Sequence, residues 1–293
     1  MQYETPLVSV LMTAYNREQY ISEAIESVLA STYTNFELII VDDCSSDNTL
    51  LIAQSYKAMD SRIKIYLNER NLGDYPNRNQ AAKYANGTYI LFVDSDDKTY
   101  PDSLEYCVTN MLKDLTVDMG ILCRVPELCD KILPPGESVQ YHFFKQQFLM
   151  IGPGGTIIKK SFFNSIDGYP EKYGPANDMF FNLKAATKGN LRCLCKEFLY
   201  YRIHEGQEGN SEYSYLFNNY LYTKDALQEL PLSLSQQQIA LLKNKCKRRF
   251  LVNLVRFTIK TKDLRKTRAV LQKTGFTFLD ALQGVFHKNY LHR

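Results

Sequence analysis

The sequence predicts an α/β protein: a mostly parallel sheet flanked by helices, with a helical C-terminal appendage. Three observations predict it. Short, nearly continuous apolar runs alternate with stretches of helical period through the first hundred residues. Strands that are apolar on both faces belong to sheets covered on both sides. From about residue 211 onward the pattern is helical. The boundary is therefore expected between a body of residues 1–210 and a basic helical region of residues 211–293.

Each element follows from its residues. Val8–Met12 reads as a buried strand, and Ile21, Ala24, Ile25, Val28 and Leu29 then recur at spacings of three and four on one helical face. Phe36–Val41 is a second strand ending in Asp42-Asp43. Ser45-Ser46-Asp47 offers N-cap chemistry for a helix through Leu51, Ile52 and Tyr56. Ile63–Leu67 is a third strand. A helix from about Pro76 carries Ala81, Ala82 and Ala85 and stops at Asn86-Gly87. Tyr89–Val93 is a fourth strand, running into Asp94-Ser95-Asp96-Asp97. Beyond it a helix is expected after Pro101, a strand near Val117–Val125, a short strand at Thr156–Ile158, a helix over Asn177–Lys188 and extended chain over Leu191–Ile203.

Composition narrows the class. Apolar residues make up 45% of the 293 and charged residues 23%, which excludes wholesale disorder. Seven cysteines form an odd set without a C-x-x-C pair, so reduced thiols and a cytoplasmic setting are expected. Met1–Pro6 shows no basic stretch leading into an apolar one, so no signal peptide is expected, and no apolar run is long enough to span a bilayer. From Lys243 to Arg268 there are eleven Lys or Arg against Asp263 alone. A mildly acidic body thus carries a basic tail.

In open parallel sheets, ligands bind beyond the carboxyl ends of the strands. Three predicted strands end in polar chemistry: Thr13-Ala14-Tyr15-Asn16, Asp42-Asp43 and Asp94-Ser95-Asp96-Asp97. Closely spaced carboxylates repel one another, and a hard divalent cation removes that cost. The same acids can instead cap the helix after Pro101. Asp43 fits a ribose or base contact, and it fits ordinary capping equally. Tyr15 fits either a ligand face or half-buried packing. Arg78 fits a phosphate, an acid partner or plain solvation.

Taken in order, these motifs resemble glycosyltransferase family 2. The match is close from Pro6 to about Pro101 and looser to about Glu205. The resemblance implies a GT-A, Rossmann-like domain that binds a nucleoside-diphosphate sugar. It implies that Thr13, Tyr15 and Asp43 hold the base and ribose, with uridine the expected base, and that Arg78 lies near the base and diphosphate. Asp94 and Ser95 would be the ribose-facing part of the Asp-x-Asp motif. Asp96 would be a ligand of Mn or Mg, and His204, in Tyr201-Arg202-Ile203-His204, a further one. Gly152-Pro153-Gly154-Gly155-Thr156 resembles the acceptor loop of the family. Asp178 stands where the general base is expected, although Asn177 replaces the usual Glu and an acid there also suits a helix N-terminus.

The implied activity is inverting transfer of a sugar to a glycan or lipid-linked glycan, in cell-surface polysaccharide synthesis. With no Trp in the chain, the Gln-x-x-Arg-Trp motif of processive synthases is absent. A sugar nucleotidyltransferase is the neighbouring class, but Thr13–Arg17 lacks its glycine-rich phosphate loop. A catalytically inactive glycan-binding module is another. The tail suits packing on the body or on a second copy in a homodimer, through Ile239, Leu242, Cys246, Phe250, Leu254 and Phe257. It also suits peripheral contact at the inner face of an anionic membrane. Nucleic acid is not an expected partner, because no binding module accompanies the charge.

Overall fold

The computed structural model describes residues 5–204 and 212–286. The expected boundary at 210/211 therefore lies outside the described residues.

The first half is built as its apolar pattern dictates. Strand β1 (Val8–Ala14), helix α1 (Ile21–Leu29), β2 (Phe36–Asp42), α2 (Thr49–Met59), β3 (Ile63–Leu67), α3 (Asp74–Tyr84) and β4 (Tyr89–Phe92) follow in turn. β1 pairs in parallel with β2 and β4, and β2 with β3, so three polar strand ends emerge on one edge. After β5 (Lys98–Thr99), α4 (Ser103–Leu112), β6 (Val117–Leu122), β7 (Ile132–Leu133) and α5 (Glu137–Phe144) the sheet is completed. β8 (Thr156–Lys159) lies antiparallel to both β4 and β6. α6 (Lys160–Ser165), α7 (Asn177–Lys188), β9 (Asn190–Leu194) and β10 (Leu199–Tyr200) follow. The eight-stranded order is β3-β2-β1-β4-β8-β6-β9-β7, and β10 pairs separately with β5.

The amino ends of the parallel strands are pinned by Glu37, a buried acid that the apolar pattern of β2 does not anticipate. It accepts from Ser9 Oγ at 2.5 Å, Lys64 Nζ at 2.6 Å and the Asn86 amide at 2.6 Å. Ser9 Oγ in turn accepts from the Gly87 amide at 2.8 Å. Four segments are thus locked in register at the end of the sheet opposite the acids. A Cβ on Gly87 would sit 2.6 Å from the Ser9 amide nitrogen, so this close approach requires glycine.

Asp47 supplies the expected capping chemistry, accepting from the Thr49 amide and hydroxyl where α2 starts. Two expectations are corrected. α3 starts at Asp74 rather than Pro76; proline suits a first turn, whose amide needs no intrahelical partner. The cysteines are not all free: Cys129 and Cys195 pair as a disulfide across 66 residues, their Cα atoms 5.5 Å apart. Parity and spacing could not reveal it, since it depends on the strand contact between β9 and the chain before β7.

Four helices end the described chain: α8 (Glu212–Glu229), α9 (Gln236–Thr261), α10 (Leu264–Thr274) and α11 (Phe278–Phe286). Ser235 and Gln238 form a capping box at the start of α9. Of the predicted stripe, Leu242, Phe250, Leu254 and Phe257 are buried, while Ile239 and Cys246 are half-buried. Tyr222, Ala226, Leu227, Leu232 and Leu242 join the core beneath α7, whereas Phe250 and Leu254 join Tyr220, Val270 and Phe276 in a separate cluster. No helix among the described residues is long and apolar enough to cross a membrane.

Candidate functional site

The ends of β1, β2 and β4, the start of α3 and the start of α7 enclose a cleft of about 580 Å³. Thr13, Tyr15, Asp43, Arg78, Asp94, Ser95, Asp96 and Asp178 all line it. His204 lines an adjoining recess with Asn16, Arg17 and Tyr20, and its Nε2 lies 3.0 Å from Asp96 Oδ2. The structure therefore brings every candidate residue to one region.

Each is held by identifiable contacts. Ser95 donates its hydroxyl to the Thr13 carbonyl at 2.8 Å, tying the ends of β1 and β4 together. Asp43 accepts from Asn68 Nδ2 at 2.7 Å and from the amides of Leu72 and Gly73, both at 2.9 Å. Its carboxylate thus shapes the loop into α3, and a carboxylate has lone pairs to spare for a ligand. Tyr15 lines the cleft and is 46% exposed.

Arg78 is not solvated. It is buried, with Nε 2.8 Å from Asp74 Oδ1 and Nη1 2.6 Å from Asp94 Oδ1. Burial opposes its charge, but the two carboxylates hold it firmly protonated. Asp74, one helical turn upstream, was missed by the sequence reasoning; the i,i+4 acid–base spacing was the available signal.

The acidic turn is clamped on both sides. Arg17 Nε donates to Asp96 Oδ2 at 2.9 Å. The Arg202 amide donates to Asp97 Oδ1 and its Nε to the Asp96 carbonyl, each at 2.9 Å. Asp94, Asp96 and Asp97 each offer an oxygen within 4.8 Å of the others. Burial and the charges of Asp94 and Asp96 push the Asp97 carboxyl up to about 7. An all-oxygen, mutually repelling set fits a hard cation such as Mg or Mn, with Asp97 the member that sequence reasoning had not assigned. None of these acids caps α4, whose N-cap is Asp102.

Asp178, in the first turn of α7, lines the same cleft. Burial pushes its carboxyl up to about 7, against the Met179 amide, which donates to Oδ1 at 2.7 Å. Gly152 lies directly over it: a Cβ there would come 3.7 Å from Asp178 Oδ2. The neighbouring Asn177 is structural, its Oδ1 accepting the Tyr173 amide at 2.9 Å.

The chain is similar to known glycosyltransferases. Residues 9–163, more than half the chain, match the family model for glycosyl transferase family 2. The chain is 46% identical over 100 residues to the putative teichuronic acid biosynthesis glycosyltransferase TuaG of Bacillus subtilis, covering 34% of this chain and 40% of that protein. It is 48% identical over 107 residues to the UDP-Glc:alpha-D-GlcNAc-diphosphoundecaprenol beta-1,3-glucosyltransferase WfgD of Escherichia coli, covering 36% and 42%. The match thus spans about two fifths of each relative. Among solved structures, S. aureus TarS 1-349 in complex with UDP-GlcNAc shares the fold with a TM-score of 0.63 at 20% identity, over 92% of this chain and 93% of that one. The mannosyltransferase PcManGT of Pyrobaculum calidifontis, in complex with GDP-Man and Mn2+, also reaches 0.63, at 13% identity over 96% and 79%. With a GT-A sheet, acids gathered at its carboxyl edge and a family match across most of that sheet, this chain belongs to glycosyl transferase family 2.

Proposed function

We propose that the protein transfers a sugar from a nucleoside-diphosphate donor, uridine-linked, to a hydroxyl of a glycan or lipid-linked glycan, with inversion, in cell-surface polysaccharide synthesis. One observation carries the reading: the acidic turn and Asp178 line a single cleft. The relatives support it by analogy, since WfgD is named for a UDP-glucose donor and a lipid diphosphate acceptor.

In this reading Thr13, Tyr15 and Asp43 receive the nucleoside, and Arg78 keeps Asp94 oriented toward the ribose. Asp96 would hold Mn or Mg with Asp94, Asp97 and His204, and that cation would supply neutralising charge beside the diphosphate. Asp178 accepts the proton of the acceptor hydroxyl. A carboxyl raised to about 7 is matched to that task, since a base works best with a pKa near the working pH. Gly152, lacking a side chain over Asp178, lets an acceptor ring approach closely. Residues 1–210 form the catalytic unit in this proposal and residues 211–293 an appendage.

The test is release of UDP from UDP-sugars with Mn or Mg present. The native chain should turn over at least one donor, and Asp178→Asn should lose turnover while still binding UDP. Donor binding without turnover in the native chain, across donors and acceptors, would instead identify an inactive binding module.

A further inference from the structure

The C-terminal helices expose apolar side chains where a folded surface would normally hide them. Among the described residues, nine of the nineteen exposed large hydrophobics lie between Val252 and Phe286. Five belong to α11: Phe278 is 77% exposed, Leu279 68% and Phe286 74%, with Leu282 and Val285 beside them. At helical spacing these five share one side of α11. The opposite side is the packed one: Asp280 pairs with Lys247 at 2.9 Å, and Gly284 lies against the backbone of Lys247 and Arg248. α9 does the same on a smaller scale. It buries Phe250, Leu254 and Phe257 and exposes Val252, Val255 and Ile259.

Around these faces the charge has one sign. Gln236–Phe286 carries twelve Lys or Arg and two acids, Asp263 and Asp280. Asp280 is paired with Lys247, and Asp263 caps α10. Arg248, Arg256, Arg265, Lys266 and Arg268 are all exposed.

We propose that α9, α10 and α11 form a docking surface for an anionic lipid bilayer, in which the α11 face enters the interface and the basic residues meet the headgroups. Apolar burial and charge attraction add in such binding. A second copy is the poorer occupant, because a two-fold contact would set the basic belt against itself. The proposal deepens the lipid-linked acceptor reading, by bringing the enzyme to the surface where such an acceptor resides. It is scored by vesicle binding alone, so a failure of either can be told from a failure of the other.

The experiment is co-sedimentation of the full chain with vesicles of phosphatidylcholine, with and without phosphatidylglycerol. Two variants accompany it: Phe278→Ser/Leu279→Ser/Phe286→Ser, and Arg256→Glu/Arg265→Glu. The native chain should bind the anionic vesicles only, and each variant should bind roughly tenfold or more weakly. Raised salt should weaken binding, as charges are screened within about 10 Å at 0.1 M. UDP release with a water-soluble acceptor should be unchanged in both variants. Vesicle binding that neither variant alters overturns the proposal, as does no binding to either vesicle. A native dimer that becomes monomeric in the triple-serine variant, with no vesicle binding, would assign the face to a second copy. Should the triple-serine variant fail to fold, the charge-reversal variant and the lipid dependence decide alone.

Discussion

Arg17 donates its Nε to Asp96 Oδ2 at 2.9 Å, so a guanidinium occupies the carboxylate oxygen that a cation would use. The two positive charges compete for one acceptor. Replacing Arg17 with Met should therefore tighten Mn binding in the absence of nucleotide, by roughly three- to tenfold for the loss of one partly screened charge. Calorimetric titration of the two proteins with Mn measures this. Unchanged or weaker binding in Arg17→Met would mean that the cation does not use that oxygen.

The raised carboxyl of Asp178 ties activity to pH. As the proposed acceptor base it must be ionised, so turnover should climb as pH rises through about 7 and level off above it. Stability should move the other way. The folded protein holds this proton more tightly than the unfolded chain, whose Asp titrates near 3.9. Stability is therefore lost as pH rises from about 4 to about 7 and stays lower above that. Asp178→Asn removes the cost: its Tm should exceed that of the native protein at pH 8, and the gap should close near pH 4. A gap that persists at pH 4 would show that the gain has another origin.

Arg78 neutralises two acids from a buried position. Arg78→Ala leaves Asp74 and Asp94 facing each other without it. Their partial exposure moderates the cost, which should be about 2–4 kcal/mol of unfolding free energy. Mn should restore part of the lost Tm in this variant, because a cation at the acidic turn supplies the missing positive charge. Thermal melts with and without Mn read both effects, and a Tm unaffected by the substitution would refute the assigned role.

Gly87 tests the far end of the sheet. Gly87→Ala drives a methyl group into the Ser9 amide and the Leu7 carbonyl, backbone groups that cannot step aside. It should cost about 1–3 kcal/mol, measurable by denaturant unfolding, with UDP affinity per folded molecule nearly unchanged. A large loss of UDP affinity in the folded variant would show that strain at the amino ends reaches the cleft.

The first four strands and the acids at their ends were legible in the sequence, because runs such as Tyr89–Val93 are too apolar for any surface and too short for a buried helix. The partners of those acids were not. Asp43 is fixed by Asn68, Leu72 and Gly73, residues that come near it only after the chain has passed through α2 and β3. Arg78 has the composition of a solvated side chain, and only the convergence of α3 with the end of β4 buries it. Asp97 was visible as a residue, but its packing against Asp94 and Asp96 depends on the clamp from Arg202, over a hundred positions later. Periodicity reports burial of apolar faces; it carries little about which distant polar groups will meet.

The reversed direction of β8 decides what kind of surface the incoming sugar meets. Since β8 runs against β4, the residues leading into it, Gly152–Gly155, lie at the carboxyl edge, and Lys159 at its end and Lys160 just after it finish beside Tyr89 and Thr88 at the opposite rim. Had this strand continued the parallel winding, two ammonium groups would stand across from the acidic turn as permanent counter-ions. One inverted strand keeps that wall compact and both lysines away from acids that Arg17 and Arg78 already pair with.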